Sequence, residues 1–516
     1  MSIINYMIGV DIGTTSTKAV LFEENGRVVA KSSKGYPLYT PNATIAEQDP
    51  ELIFEAVIHT VKQVMAESAV SPGNIMFVSF SSAMHSVIAV DGTCKALTPC
   101  MTWADNRSSN YAMRLKQELN GHELYLRTGT PIHPMSPLTK LMYLSAEEPE
   151  LVRQSAKFIS IKEYVFAKLF HEYVVDYSIA SATGMMNLND LDWDEEALRI
   201  AGIQRSQLSQ IVPTTHLMQG LDATHAAAMG LTVATPFIVG ASDGVLSNLG
   251  VNAIEPGVVA ATIGTSGAVR TVIDRPVTDP KGRIFCYALT DKHWVIGGPV
   301  NNGGMLFRWA RDEFAAAEVE TAKRLGIDAY DLLTSIAEQV RPGADGLLFH
   351  PYMTGERAPL WNADARGSFF GLTMHHRKEH MIRAVLEGVI FNLYTVLLAM
   401  EERIGRPRKI HATGGFARSA LWRQIMADIF DQEVIVPESY ESSCLGAVVL
   451  GLYAIGRIDS FDIVSDMVGA THQHKPIKEH AELYHQLLPI FISIPRKLEE
   501  EYAAISKFQQ KLFDVE

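Results

Sequence analysis

Cysteine is scarce in this chain: Cys94, Cys100, Cys286 and Cys444 are the only four among 516 residues. They show neither CxxC nor Cys/His spacing, so neither a disulfide framework nor a zinc site is encoded. Positive charge is in deficit too. A formal net charge of −13 speaks against a nucleic-acid partner and against an anionic membrane surface. An uninterrupted membrane-length apolar run is missing as well. The longest apolar segment, 381–400, contains Arg383, Glu387 and Asn392 and reads as a buried helix. The N-terminus has no basic stretch, and its apolar run meets Asp11 too soon for a signal peptide. A cytoplasmic, reduced protein is the expectation. No GxxxxGK[ST] motif occurs, which excludes a P-loop phosphate site.

Apolar residues make up 47% of the chain, enough for the two cores that this length calls for. The most informative stretch is GVDIGTTSTKAV, 9–20. An apolar run delivers Asp11 to its end. Gly13, Thr14, Thr15 and Lys18 follow, and a second apolar run begins at once. This pattern predicts a hairpin whose turn offers backbone N–H groups, hydroxyls and one cation to an anion. Asp11 at the strand end suits a hydrated Mg²⁺. The idea recurs in GVVAATIGTSGAVRTVI, 257–273. Two such hairpins half a chain apart point to a duplicated fold with a nucleotide between the halves.

Element order agrees with duplication. Strands are expected at 6–11, 17–23 and 27–35, then a helix on which Leu52, Ile53, Ala56, Val57, Thr60, Val61, Val64 and Met65 recur at helical spacing. A strand follows at 75–80. This is the opening of a ribonuclease-H-like α/β unit. In the second half, strands at 257–263, 267–273 and 293–298 precede a helix over 305–314. A strand at 409–412, a helix at 420–430, a strand at 433–436 and a Gly/Ala-rich helix at 444–454 come later. The Pro- and Gly-bearing stretch NAIEPG marks the boundary, giving domains over 1–252 and 253–516. The last thirty or so residues read as an amphipathic helix pair.

Candidate chemistry gathers at a few places. Asp243 follows an apolar run and lies in Ala-Ser-Asp-Gly; it serves either as a catalytic carboxylate at a cleft floor or as a cap on the next helix. Met84 and His85 follow the strand at 75–80. Trp103, Asp105 and Arg107 follow the next apolar stretch, and an aromatic beside a carboxylate and a guanidinium suits a polyol. Gly13, Gly264, Gly304 and Gly415 allow backbone to approach a phosphate or purine closely, and Gly304 opens a helix whose N–H groups favour anions.

Six segments in order resemble the FGGY carbohydrate kinases, relatives of actin and the heat-shock ATPases. They are DIGTTSTK (11–18), PIHPMSPLTKLMYL (131–144), GASDGVLSNLG (240–250), TIGTSG (262–267), GSFFGLTMHHRKEHMIRAVLEG (367–388) and ATGGFARSALWRQIMADI (412–429). Tyr143 departs from the Trp that many members carry. The resemblance implies an α/β protein of two ribonuclease-H-like, actin/hexokinase-type ATPase domains with a central cleft. It implies a kinase using ATP and Mg²⁺, with Asp243 as general base and substrate contact, and Asp11 ordering the metal. Thr14, Thr15 and Lys18 would meet the terminal phosphates, with Thr265 from the other domain. Gly414, Gly415 and Ser419 would line the adenosine pocket. Glycerol-specific members carry Arg-Glu in place of Met84-His85 and Gln in place of Gly244, which argues against glycerol. The nearest resemblance is to members that act on gluconate, giving 6-phosphogluconate; xylulose or another pentulose or polyol is the alternative, since xylulose-specific members share Met-His. A non-kinase ATPase or a sugar sensor on the same fold is the alternative from another class. A sugar acid needs a cation, and Arg107, His85, Lys162 and Arg357 are candidates. A homodimer is left open.

Overall fold

The computed structural model describes residues 5–42, 44–437 and 441–513. The chain divides into two compact units: one of residues 1–254, 272–296 and 441–469, the other of residues 255–271, 297–440 and 470–516.

The first unit is built on a mixed sheet. Its strands are β1 (Tyr6–Ile12), β2 (Ser16–Glu23), β3 (Val28–Gly35), β4 (Ile75–Ser82), β5 (Leu217–Met218) and β6 (Phe237–Ser242), in the order β5-β6-β4-β1-β2-β3. β1 pairs antiparallel with β2 and parallel with β4, which is parallel to β6. One face packs on the helix Pro50–Ser68, whose buried Ile53, Val57, Val61 and Val64 follow the expected spacing. Asp49 caps that helix by accepting from the Glu51 N–H, and Pro50 takes its first position, where no donor is missed. The other face packs on the helix Ser442–Ala454, which the chain sends back from near its far end. Small residues let this helix sit close. A Cβ on Gly446 would strike the Leu246 carbonyl, and one on Gly451 the Phe77 ring.

The second unit repeats the plan. Its strands include β7 (Val258–Ile263), β8 (Gly267–Ile273), β9 (Trp294–Val300), β10 (Lys409–Thr413), β11 (Val434–Pro437) and β12 (Ala470–His474), in the order β9-β8-β7-β10-β11-β12, with a seventh strand, Phe285–Ala288, at the edge beyond β9. Again a first hairpin pair is antiparallel, the next two strands run parallel, and a sixth strand is antiparallel. The expected duplication is therefore present in both sheets. The helix Lys378–Ile404 is the one helix among the described residues long and apolar enough to cross a membrane. It is instead a core helix of this unit, and its buried Arg383 is held by Glu387 at 2.7 Å and by the Tyr484 hydroxyl. The terminal pair is present as Lys478–Lys497 and Glu499–Phe513.

The insertion between β4 and β6 was not foreseen in detail. It carries several short helices and two-residue strands. Elements this short have too few residues to show a period.

Candidate active site

In a parallel sheet, ligands gather beyond the carboxyl ends of the strands. In the first unit the register places Asp11 opposite Ser81 and Ser82 opposite Ser242. Asp11 and Asp243 thus stand at neighbouring strand ends, on either side of β4. The Asp11 carboxylate accepts from the Ser81 hydroxyl at 2.7 Å. Burial raises its pKa above the usual range, while Ser81 and Lys18 pull it down. A buried carboxylate of this kind calls for a cation.

Asp243 does not lie in a loop. β6 runs straight into the helix Asp243–Leu249, whose N-cap is Ser242. The Asp243 Oδ1 accepts from the adjacent Gly244 N–H, in the first turn of that helix, at 2.6 Å. Its neighbours are firmly held. The Ser178 hydroxyl bonds the Ser242 hydroxyl at 2.7 Å and accepts from the Ser242 N–H at 3.0 Å. Asp176, which caps the Ser178 turn, pairs with Lys162 at 2.6 Å, both side chains being buried. Burial lowers the Lys162 pKa; Asp176 opposes this, and the charge of Asp243 reaches it as well.

The turn expected to meet phosphate, Gly13–Thr15, joins β1 to β2. Gly13 N–H donates to the Ser16 carbonyl at 3.0 Å. The Tyr36 hydroxyl donates to the Gly13 carbonyl at 2.5 Å, and the Gln48 amide to the Thr14 carbonyl at 2.6 Å. Trp103 Nε1 donates to the Thr14 hydroxyl at 2.9 Å. The turn is thereby tied to the segment expected to read sugar. Thr15 is exposed. Lys18 Nζ pairs with Glu441 at 2.7 Å; burial works against its charge, but Glu441 keeps the amine above its ordinary range.

In the sugar segments, His85 is buried and its Nδ1 bonds the Ala182 carbonyl at 2.8 Å. Met84 packs against the apolar core. Asp105 is fully buried and accepts from the Ala46 N–H at 2.9 Å and from the Arg107 guanidinium at 2.7 and 2.9 Å. Arg107 also bonds Glu47. Asp105 is thus an anchor for this loop, and Arg107 is shared between two carboxylates. Of the other candidate cations, Arg357 lies in the second unit, bonded to Asn301 at 2.7 Å.

In the second unit, the turn Gly264–Thr265–Ser266 follows β7, and Gly414–Gly415 follows β10 beside it. Gly264 and Gly415 face open space, as a ligand-facing glycine should. Gly414 has a packing reason: it sits at φ 105° with no room for a Cβ against the Ile263 carbonyl. Gly304 is the N-cap of the helix Met305–Phe314, as expected, and its own N–H donates to the Gly264 carbonyl at 2.7 Å. The Ser419 hydroxyl caps the helix Ala420–Phe430 by accepting from the Trp422 N–H at 3.2 Å.

Residues 6–250 match the N-terminal domain and residues 259–455 the C-terminal domain of the FGGY family of carbohydrate kinases. This chain belongs to that family. Its fold is accordingly the two-domain FGGY kinase fold, and ATP is its phosphoryl donor. It is 65% identical to a gluconokinase of Bacillus subtilis (strain 168) over 509 residues, covering 98% of this chain and 99% of that protein. Two solved structures from Lactobacillus acidophilus, one described as a gluconate kinase and one as a ligand-bound xylulose kinase, each give a TM-score of 0.92. Each is 38% identical and covers 97% of this chain and 100% of its own. For this FGGY kinase, sequence reasoning missed Tyr36, Gln48, Lys140 and Glu441. Lys140 had a signal, a lone cation inside the apolar LTKLMYL; the others are ordinary polar residues.

Proposed function

We propose that this kinase transfers the γ-phosphoryl group of ATP to the terminal hydroxyl of D-gluconate, giving 6-phosphogluconate. The observation that carries the substrate is the 65% identity to a gluconokinase over nearly the whole chain. Asp243 is the general base: its carboxylate accepts the proton of the attacking hydroxyl, while the Ser178–Ser242 bond and the Lys162–Asp176 pair hold the strand end that carries it. Thr14, Thr15 and Lys18 hold the terminal phosphates from the first unit. Within the second unit, Thr265 and the turn around it are the candidate nucleotide contacts, and Gly415 leaves open space beside them. Met84, His85 and Trp103 read the sugar. Arg107 and His85 are the candidate partners for the gluconate carboxylate: Arg107 already binds Asp105 and Glu47, and the His85 ring bonds the Ala182 carbonyl.

The donor set fits Mg²⁺. Among the described residues no group of three or more metal-binding side chains exists, and Mg²⁺ keeps its waters and takes one or two carboxylates plus phosphate oxygens. Asp11 would hold it, and when bound it would neutralise charge on the phosphates.

Asp243→Asn should lower turnover by ~10²–10⁴-fold while ATP binding persists. Near-normal turnover in a preparation free of wild-type enzyme removes Asp243 from the reaction. A second reading, xylulose, is favoured by the solved relative described as a xylulose kinase. Turnover of xylulose above that of gluconate in one assay would replace the substrate and leave the kinase intact.

A further inference from the structure

Three backbone carbonyls around the proposed sugar site converge on one buried cation. Lys140 lies on the helix Pro137–Glu147 and is fully buried. Its Nζ donates to the carbonyls of His85 at 2.7 Å, Thr102 at 2.6 Å and Met135 at 2.9 Å. An ammonium has three N–H donors, so each finds one acceptor. The acceptors belong to three segments: the loop after β4, the residue leading into Trp103, and the turn before the helix itself.

Two further observations raise this above a satisfied core lysine. His85 holds a left-handed backbone, φ 69°, which a non-glycine residue keeps only where its surroundings over-determine it. Lys140 grips the carbonyl of that residue. Thr102, the second acceptor, adjoins Trp103, whose indole reaches the phosphate turn.

We propose that Lys140 is a positioning residue of the sugar site, its ammonium fixing the His85 loop against the Trp103 segment and thereby setting sugar affinity. This rests on the reading that these segments hold the sugar.

The charge state matters to such a clamp. Burial pushes the Lys140 amine down to about 7, opposed by Asp105 and Cys100 and aided by Arg107. Asp105 acts without a direct bond, and His85 and His133 flank the carbonyls that the amine holds. Below about pH 7 all three donors are present. Above it the neutral amine has two donors and turns a lone pair toward the third carbonyl. The KM for gluconate therefore rises as pH rises through 7, while the KM for ATP does not follow.

The test is Lys140→Met, which keeps the stem and removes the donors. The expected result is a KM for gluconate raised tenfold or more, with the KM for ATP raised by at most about fivefold, the effect that loosening Trp103 carries, and the pH dependence of the gluconate KM lost. A folded K140M enzyme with an unchanged gluconate KM overturns the proposal. So does an equal rise in both KM values, which marks a merely structural role. Should K140M fail to fold, the wild type decides: a gluconate KM flat between pH 6 and 8.5 overturns the proposal, and a selective rise supports it. His85→Ala separates this from the site reading. If H85A and K140M both leave the gluconate KM unchanged, the sugar site lies elsewhere; if H85A raises it and K140M does not, only the role of Lys140 falls.

Discussion

The two candidate phosphate turns have the same backbone plan and are held in different ways. The first is clamped mostly by side chains that come from elsewhere in its unit, Tyr36, Gln48 and Trp103, with one main-chain bond from the Tyr36 N–H to the Thr15 carbonyl at 3.2 Å. The second is clamped by main chain. Gly303 and Met305 N–H groups donate to the Thr265 carbonyl at 3.1 and 3.3 Å, and Gly304 N–H donates to the Gly264 carbonyl. A turn held by side chains can be adjusted one hydrogen bond at a time and is linked to whatever else those side chains touch. A turn held by backbone depends on the two chains approaching closely, which only glycine permits.

The strongest way to break this contrast is Gly303→Ala. Its Cβ would run into the Ser266 carbonyl, a backbone atom that cannot swing aside. Overpacking of this kind costs ~1–3 kcal/mol. The KM for ATP should rise tenfold or more and the melting temperature should fall. An unchanged ATP titration would show that the second turn does not depend on this approach. Trp103→Phe should have a smaller effect. It removes one hydrogen bond, worth about 1 kcal/mol net, yet it should alter the kinetics of both substrates by roughly fivefold, because Trp103 belongs to the sugar segment and holds the phosphate turn. A change confined to gluconate would sever the proposed link. The smallest effect should come from Glu441→Gln. Lys18 is 36% exposed, and such a pair contributes at most ~1 kcal/mol. Less than a fivefold change in the KM for ATP is expected, fading as salt is added. A larger effect, persisting in high salt, would make Glu441 part of the clamp.

The same contrast explains what the sequence made legible. Both turns were visible because Gly-Thr-Thr and Gly-Thr-Ser stand between apolar runs of strand length. The helices Met305–Phe314 and Ala420–Phe430 were visible because each fills the gap between turn residues. The glycines were visible as glycines, but not their reasons. Gly414 and Gly304 answer to neighbouring carbonyls that pairing of distant segments brings close. Ser419 is a helix cap as much as a candidate ligand residue. Asp105 looked like a polyol contact, and only the fold shows its carboxylate committed to Ala46 and Arg107. The helix Ser442–Ala454 is apolar on every side. Its pattern announces burial without saying in which unit.

That helix has a consequence for how the chain is made. Gly9 of β1 packs so closely on Cys444 that a Cβ would strike the Cys444 carbonyl, and Met7, Val20 and Phe77 share one apolar cluster with Leu445, Val448 and Leu452. Strands β1, β2 and β4 must wait for the far-downstream helix Ser442–Ala454 before that face is covered. Domains usually fold N-terminal first as they are synthesised; here the face formed by β1, β2 and β4 stays uncovered until residues 442–454 are made. A nascent chain halted before residue 442 would expose the Met7–Phe77 face, making it the natural hold for a chaperone and the first place where aggregation would begin.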